Sequence, residues 1–65
     1  MITAHFVVSG EERETREVSE DWLRRASAEH ENVLVDGINY LVKSVSIDGR
    51  HARVELLAPQ FSRGS

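Results

Sequence analysis

Two Asp-Gly pairs, Asp36-Gly37 and Asp48-Gly49, bracket the apolar run Ile38–Ile47 and constrain this 65-residue chain more than any other feature. Between β-branched runs, such a pair supplies the two positive φ angles of a two-residue type I′ turn. Val33–Val35, Ile38–Ile47 and Arg50–Ala58 are therefore expected to form a three-stranded meander. With Asp48-Gly49 as the loop, Ile47 faces Arg50, Val45 faces Ala52 and Leu41 faces Leu56. The apolar phase of the middle strand then switches, from Ile38, Tyr40 and Val42 to Val45 and Ile47, which no regular strand can bury on one face. A bulge near Lys43-Ser44 resolves the conflict, and strongly bent strands of this kind build small barrels.

Upstream, Ile2, Ala4, Phe6 and Val8 alternate with Thr3, His5 and Val7, the period of a strand, and Ser9-Gly10 closes it with turn chemistry. Arg13–Val18 alternates more weakly and carries mostly charge, which suits a solvent-exposed edge strand pairing back on the first. Ser19 stands where a hydroxyl can accept from the first-turn amides of a helix, and Glu20 and Asp21 suit the positive end of its dipole. The helix is expected from Glu20 to about Glu31, packed through Trp22 and Leu23, with Ala26, His30 and Val33 on the same stripe. The order is β(β)αβββ and the class is α+β. It predicts one strongly bent antiparallel sheet of four to five strands, open-barrel-like, with one packed helix. Residues 1–59 make a single domain, Pro59 ends the last strand, and residues 60–65 are a loose tail.

Size and composition narrow the function classes. A chain this short buries only roughly 60% of the surface it exposes unfolded, and with no cysteine it has neither disulfide nor thiolate–zinc support. A partner or a second copy is the usual remaining support. The stretch MITAHFVVSGEE has no basic leader and its apolar run breaks after Val8, so it reads as neither signal peptide nor membrane span, and a cytoplasmic protein is expected. Net charge is −3, with eight acids against four arginines in residues 1–32 and three acids against four bases in residues 33–65. The acids from Glu11 to Asp21 are interrupted by Arg13 and Arg16, the pattern of a solvated face.

Catalysis and cofactors find little to build on. His5, His30 and His51 lie 25 and 21 residues apart, no pair has the spacing of a preformed metal site, and no metal is expected. Hydroxyls occur only in turns, caps and strand faces, the glycines have no phosphate-cradling spacing, and Glu29 and Glu31 do not share a helix face with His30. The chain is expected to be no enzyme and to hold no cofactor. Lys43, Arg50, His51 and Arg53 concentrate in the second hairpin and make nucleic-acid binding the alternative reading. Against it stand the net negative charge and Tyr40 as the single stacking aromatic of the region. Val7, Leu34, Tyr40, Val42, Leu57 and Phe61 fall outside the neatest core face. One helix cannot cover both faces of a sheet, so either the sheet curls on itself into a small barrel or another protein molecule covers these residues. Tyr40, Val42 and Leu57 are the expected self-complementary patch of a homodimer.

The segment VLVDGINYLVKSVSIDGRHARVELL, with its V-x-V-D-G-x-x-Y-x-V cadence, resembles the meanders of small phage- or prophage-encoded proteins of high-GC bacteria. That resemblance implies a setting in which short, acidic, cysteine-free proteins bind and alter a host protein or serve as small virion or regulatory parts. The expected function is thus a non-catalytic protein-binding module, a small regulator or inhibitor of a host protein.

Overall fold

A computed structural model describes residues 1–58. The elements are β1 (Ile2–Val8), β2 (Glu11–Val18), α1 (Glu20–Glu29), β3 (Asn32–Val35), β4 (Ile38–Asp48) and β5 (His51–Leu57). The expectations for Pro59, Phe61 and the tail lie outside the described residues.

All five strands join one curled sheet, half a barrel, in the order β2-β1-β5-β4-β3. Three of the four neighbouring pairs are antiparallel, formed through hairpins or the meander, but β1 and β5 run parallel. The sheet is therefore mixed rather than antiparallel. The cause lies in β1, whose inward residues Ala4 and Phe6 are buried and whose outward Val7 is buried as well. A strand covered on both faces belongs in the middle of a sheet and needs two neighbours. The charged β2 supplies one. The other must be reached through the helix, which carries the chain from one sheet edge to the other, the kind of crossover that parallel pairing requires.

Each local signal has a structural counterpart. The Ser19 hydroxyl accepts from the Trp22 amide at 3.1 Å, satisfying a donor that the first helical turn leaves open. The helix stops about two residues earlier than expected, at Glu29, because His30 adopts the left-handed conformation (φ 51°) and its amide returns to the Ala26 carbonyl. The His30 ring then donates from Nδ1 to the Val42 carbonyl at 2.9 Å, tying the helix end to β4. Leu23 and Ala26 are the buried helical residues, and Trp22 is only partly covered, edge-on to Phe6 at 6.2 Å between centroids. The helix thus docks mainly through Leu23.

Asp36 and Gly37 have φ of 54° and 76°, the type I′ turn expected. The second Asp-Gly pair behaves differently. Asp48 pairs with His51, so the loop is Gly49-Arg50, and of these Gly49 alone has positive φ (64°). Glycine at the first loop position is the type II′ arrangement, which fits the strand twist equally well. The expected facing pairs shift accordingly: Ile47 opposes Ala52 and Val45 opposes Val54. Lys43 is then the extra residue of a bulge between Val42 and Ser44, beyond which Val42 opposes Leu56. That bulge brings Tyr40, Val42 and Val45 onto the inner face with Ala52, Val54 and Leu56, and the phase conflict disappears.

Candidate functional site

The face of the sheet away from the helix carries Thr3, His5 and Val7 of β1, Thr15 and Glu17 of β2, Leu41, Ser44 and Ser46 of β4, and His51, Arg53, Glu55 and Leu57 of β5. Two groupings on this face stand out, one polar and one apolar.

The polar grouping is a chain of side chains across three strands. Parallel pairing sets Thr3 opposite His51 and His5 opposite Arg53, so the two histidines are diagonal neighbours. Their rings stack with centroids 5.3 Å apart and 27° between planes, and His5 Nε2 lies 3.1 Å from His51 Nδ1. The other His5 nitrogen, Nδ1, lies 3.2 Å from Glu12 Oε2, and the Thr15 hydroxyl donates to the same oxygen at 2.8 Å. Glu12 reaches this face because of a second bulge. Phe6 pairs with Glu14 but Val7 with Glu12, leaving Arg13 as the extra residue. The irregularity turns Glu12 outward, the re-aiming that bulges commonly perform. Hydrogen bonds from Thr15 and then His5 hold the Glu12 carboxyl below the ordinary glutamate range.

The protonation pattern follows from these contacts. A carboxylate only accepts, so His5 Nδ1 carries the proton donated to Glu12. In neutral His5, Nε2 is then a bare acceptor, and His51 Nδ1–H is its donor.

The apolar grouping is a cross-strand leucine pair. Leu41 and Leu57 sit directly opposite each other on β4 and β5, 39% and 45% exposed. Leu34 on β3, 58% exposed, opposes Asn39 and so lies one diagonal step from Leu41. Among the residues expected at an interface, Leu57 is on this surface, but Tyr40 and Val42 are buried at 4% and 0% exposure. They do not form a docking patch, because the Lys43 bulge turns them inward beneath the helix.

The basic residues do not gather into one stripe. Lys43 is the exposed bulge residue and Arg50 sits in the turn. His51 is engaged by His5, and Arg53 is paired with Glu55 at 3.2 Å. Among the described residues, positive side chains on this surface alternate with Glu12, Asp48 and Glu55 and form no continuous track for a phosphate backbone.

The His5–His51 contact and the Leu41–Leu57 pair were both outside the sequence expectation. The first depends on the parallel pairing of the two chain ends, and the second on the Gly49-Arg50 loop together with the bulge, which moves Leu57 from opposite Val42 to opposite Leu41. The available signal was in β1, where Val7 is apolar among the outward-facing residues, the mark of a central strand.

No helix among the described residues is long and apolar enough to cross a membrane. Comparison with protein-family models, with characterised proteins and with solved structures finds no match for this chain.

Proposed function

We propose that the protein is a non-catalytic binding module that docks another protein on the outer surface of β3, β4 and β5. The observation that carries this reading is the directly opposed, exposed pair Leu41 and Leu57, extended by Leu34. Leucines aligned across neighbouring strands on a face the helix does not cover make a contiguous apolar surface, and such surfaces mark sites of association. Mixed charges at the margin, Lys43, Arg53 and Glu55, suit the polar rim of such a contact.

Two further features support binding over chemistry. The imidazoles of His5 and His51 are hydrogen-bonded to each other and to Glu12, with no Ser or Thr hydroxyl bonded to either ring among the described residues. An activated hydroxyl nucleophile needs such a contact. In the genomic setting that the meander's resemblance implies, the docked molecule is a host protein whose action the module alters. A second copy of the chain is the competing occupant.

The test is affinity capture from bacterial lysate, with and without nuclease, using the parent and a Leu41→Asp/Leu57→Asp double variant in parallel. Sedimentation of both proteins accompanies it. The reading predicts a protein retained by the parent, lost by the variant and indifferent to nuclease. Capture that vanishes with nuclease moves the assignment to nucleic acid. Equal capture by parent and variant removes the leucine surface from the account.

A further inference from the structure

The His5–His51 pair supports a second inference, independent of the leucine surface. We propose that His5 Nε2 and His51 Nδ1 form a two-imidazole chelate for a divalent transition cation of the nickel, copper and zinc group.

Three observations converge on it. The first is spacing. Metal–imidazole bonds are about 2.0–2.1 Å, so two such nitrogens on one cation stand roughly 2.9–3.4 Å apart between square-planar and tetrahedral bond angles. The two nitrogens here are 3.1 Å apart. A cation in that position lies slightly to one side of the N···N line, and the exposed His51 ring can turn to aim at it.

The second observation is orientation. A metal-binding histidine characteristically donates its other ring N–H to a carboxylate, which fixes the tautomer and raises the basicity of the ligating nitrogen. His5 has this arrangement already: Nδ1 faces Glu12 Oε2 at 3.2 Å, and the Thr15 hydroxyl holds that oxygen at 2.8 Å. Nε2 is therefore presented with its lone pair free of a proton. His51 must move its proton from Nδ1 to Nε2 through solvent, so binding to the neutral pair releases no net proton.

The third is mounting and access. Both histidines stand on β1 and β5, the adjacent parallel strands at the middle of the sheet, and these hold them in register. The rings border an open hollow of about 300 Å³ that Ser46 and Asp48 also line. Among the described residues no three His, Asp or Glu side chains converge as a cage. Water completes the coordination, and imidazole donors favour copper over nickel and zinc.

The experiment titrates copper(II) into the full ¹⁵N-labelled chain, with calorimetry for affinity. Substoichiometric copper(II), being paramagnetic, should broaden first the amides of residues 4–6 and 50–52. His5→Gln and His51→Gln should each weaken binding at least about tenfold, and Glu12→Gln should weaken it by about tenfold to a hundredfold. His30→Gln should leave affinity at the parental value. Broadening centred on His30 or on the acidic helix start would overturn the proposal, as would parental affinity in both His5→Gln and His51→Gln. Circular dichroism checks that each variant is folded. If a histidine variant is not, the broadening pattern of the parent alone decides.

Discussion

The Arg16 guanidinium, on the edge strand β2, donates to the main-chain carbonyl of Leu34 on the opposite edge strand, β3. Curling has brought the two unpaired edges of the sheet within reach of one side chain. The same guanidinium pairs with Glu14 and lies 5.2 Å from the centre of the Phe6 ring. Inward-facing charge on β2 therefore does two things: it discourages pairing with foreign strands and it clasps the β3–β4 turn.

Arg16→Ala should accordingly lower stability by about 1–2 kcal/mol, the range for a charged hydrogen bond tempered by solvent plus a cation–aromatic contact. Arg16→Lys should recover little of the loss, since a single ammonium cannot serve Glu14 and Leu34 with a planar fork. Urea midpoints of the three proteins measure this. A midpoint for Arg16→Ala equal to the parent's would show that the clasp contributes nothing.

Acid should loosen the same region. Glu14 is held below the ordinary glutamate range, first by the hydrogen bond from Arg16, and Glu12 is held down by Thr15 and then His5. A carboxyl with a lower folded than unfolded pKa stabilises the fold above the unfolded value, about 4.3 for glutamate. That contribution fades as pH falls through the folded value. Both groups are solvated, so a gentle decline is expected: a midpoint level between about pH 7 and 5 that falls below about 4.3. A Glu12→Gln/Glu14→Gln variant should show a shallower decline than the parent. An identical acid profile in that variant would assign the loss to other carboxyls.

The local structure was legible because its causes are local. Ser19 announces the helix start, Asp36-Gly37 announces a turn, and the change of apolar phase between Val42 and Val45 announces a bulge. Three things were not legible. Type I′ and II′ turns both welcome Asp-Gly, and only the cross-strand register shows that Gly49-Arg50 is the second loop. The helix end was hidden because His30 takes a left-handed conformation more usual for glycine or asparagine. The neighbour of β1 was hidden because parallel pairing joins residues from opposite ends of the chain, and with it the meeting of His5 and His51.

The Lys43 bulge admits a direct test. Lys43→Ala removes only an exposed side chain and should change stability by no more than about 0.5 kcal/mol. Deleting Lys43 leaves Val42 next to Ser44, so Tyr40, Val42, Val45 and Ile47 alternate on one face of a regular ladder with their partners Leu56, Val54 and Ala52 unchanged. The deletion variant should therefore keep a cooperative thermal transition. A deletion variant that did not fold would mean that the bend made by the bulge, beyond the phase it corrects, is needed to close the inner face.

Neighbouring residues on opposite faces separate core from surface most sharply. Val42 is fully buried beneath the helix, whereas Leu41 is 39% exposed on the other side of β4. Val42→Glu places a carboxylate among Phe6, Leu23 and Val54, where no partner is available. The cost, well above about 3 kcal/mol, matches or exceeds the whole stability of a domain this small. The chain should unfold and lose its helical circular-dichroism signal. Leu41→Glu loses the cross-strand contact with Leu57 but keeps its carboxylate within reach of solvent, so it should cost no more than about 1 kcal/mol while weakening any contact made through the leucine surface. Unfolding by Leu41→Glu, with Val42→Glu intact, would reverse the assignment of the two faces and move the docking surface to the helix side of the sheet.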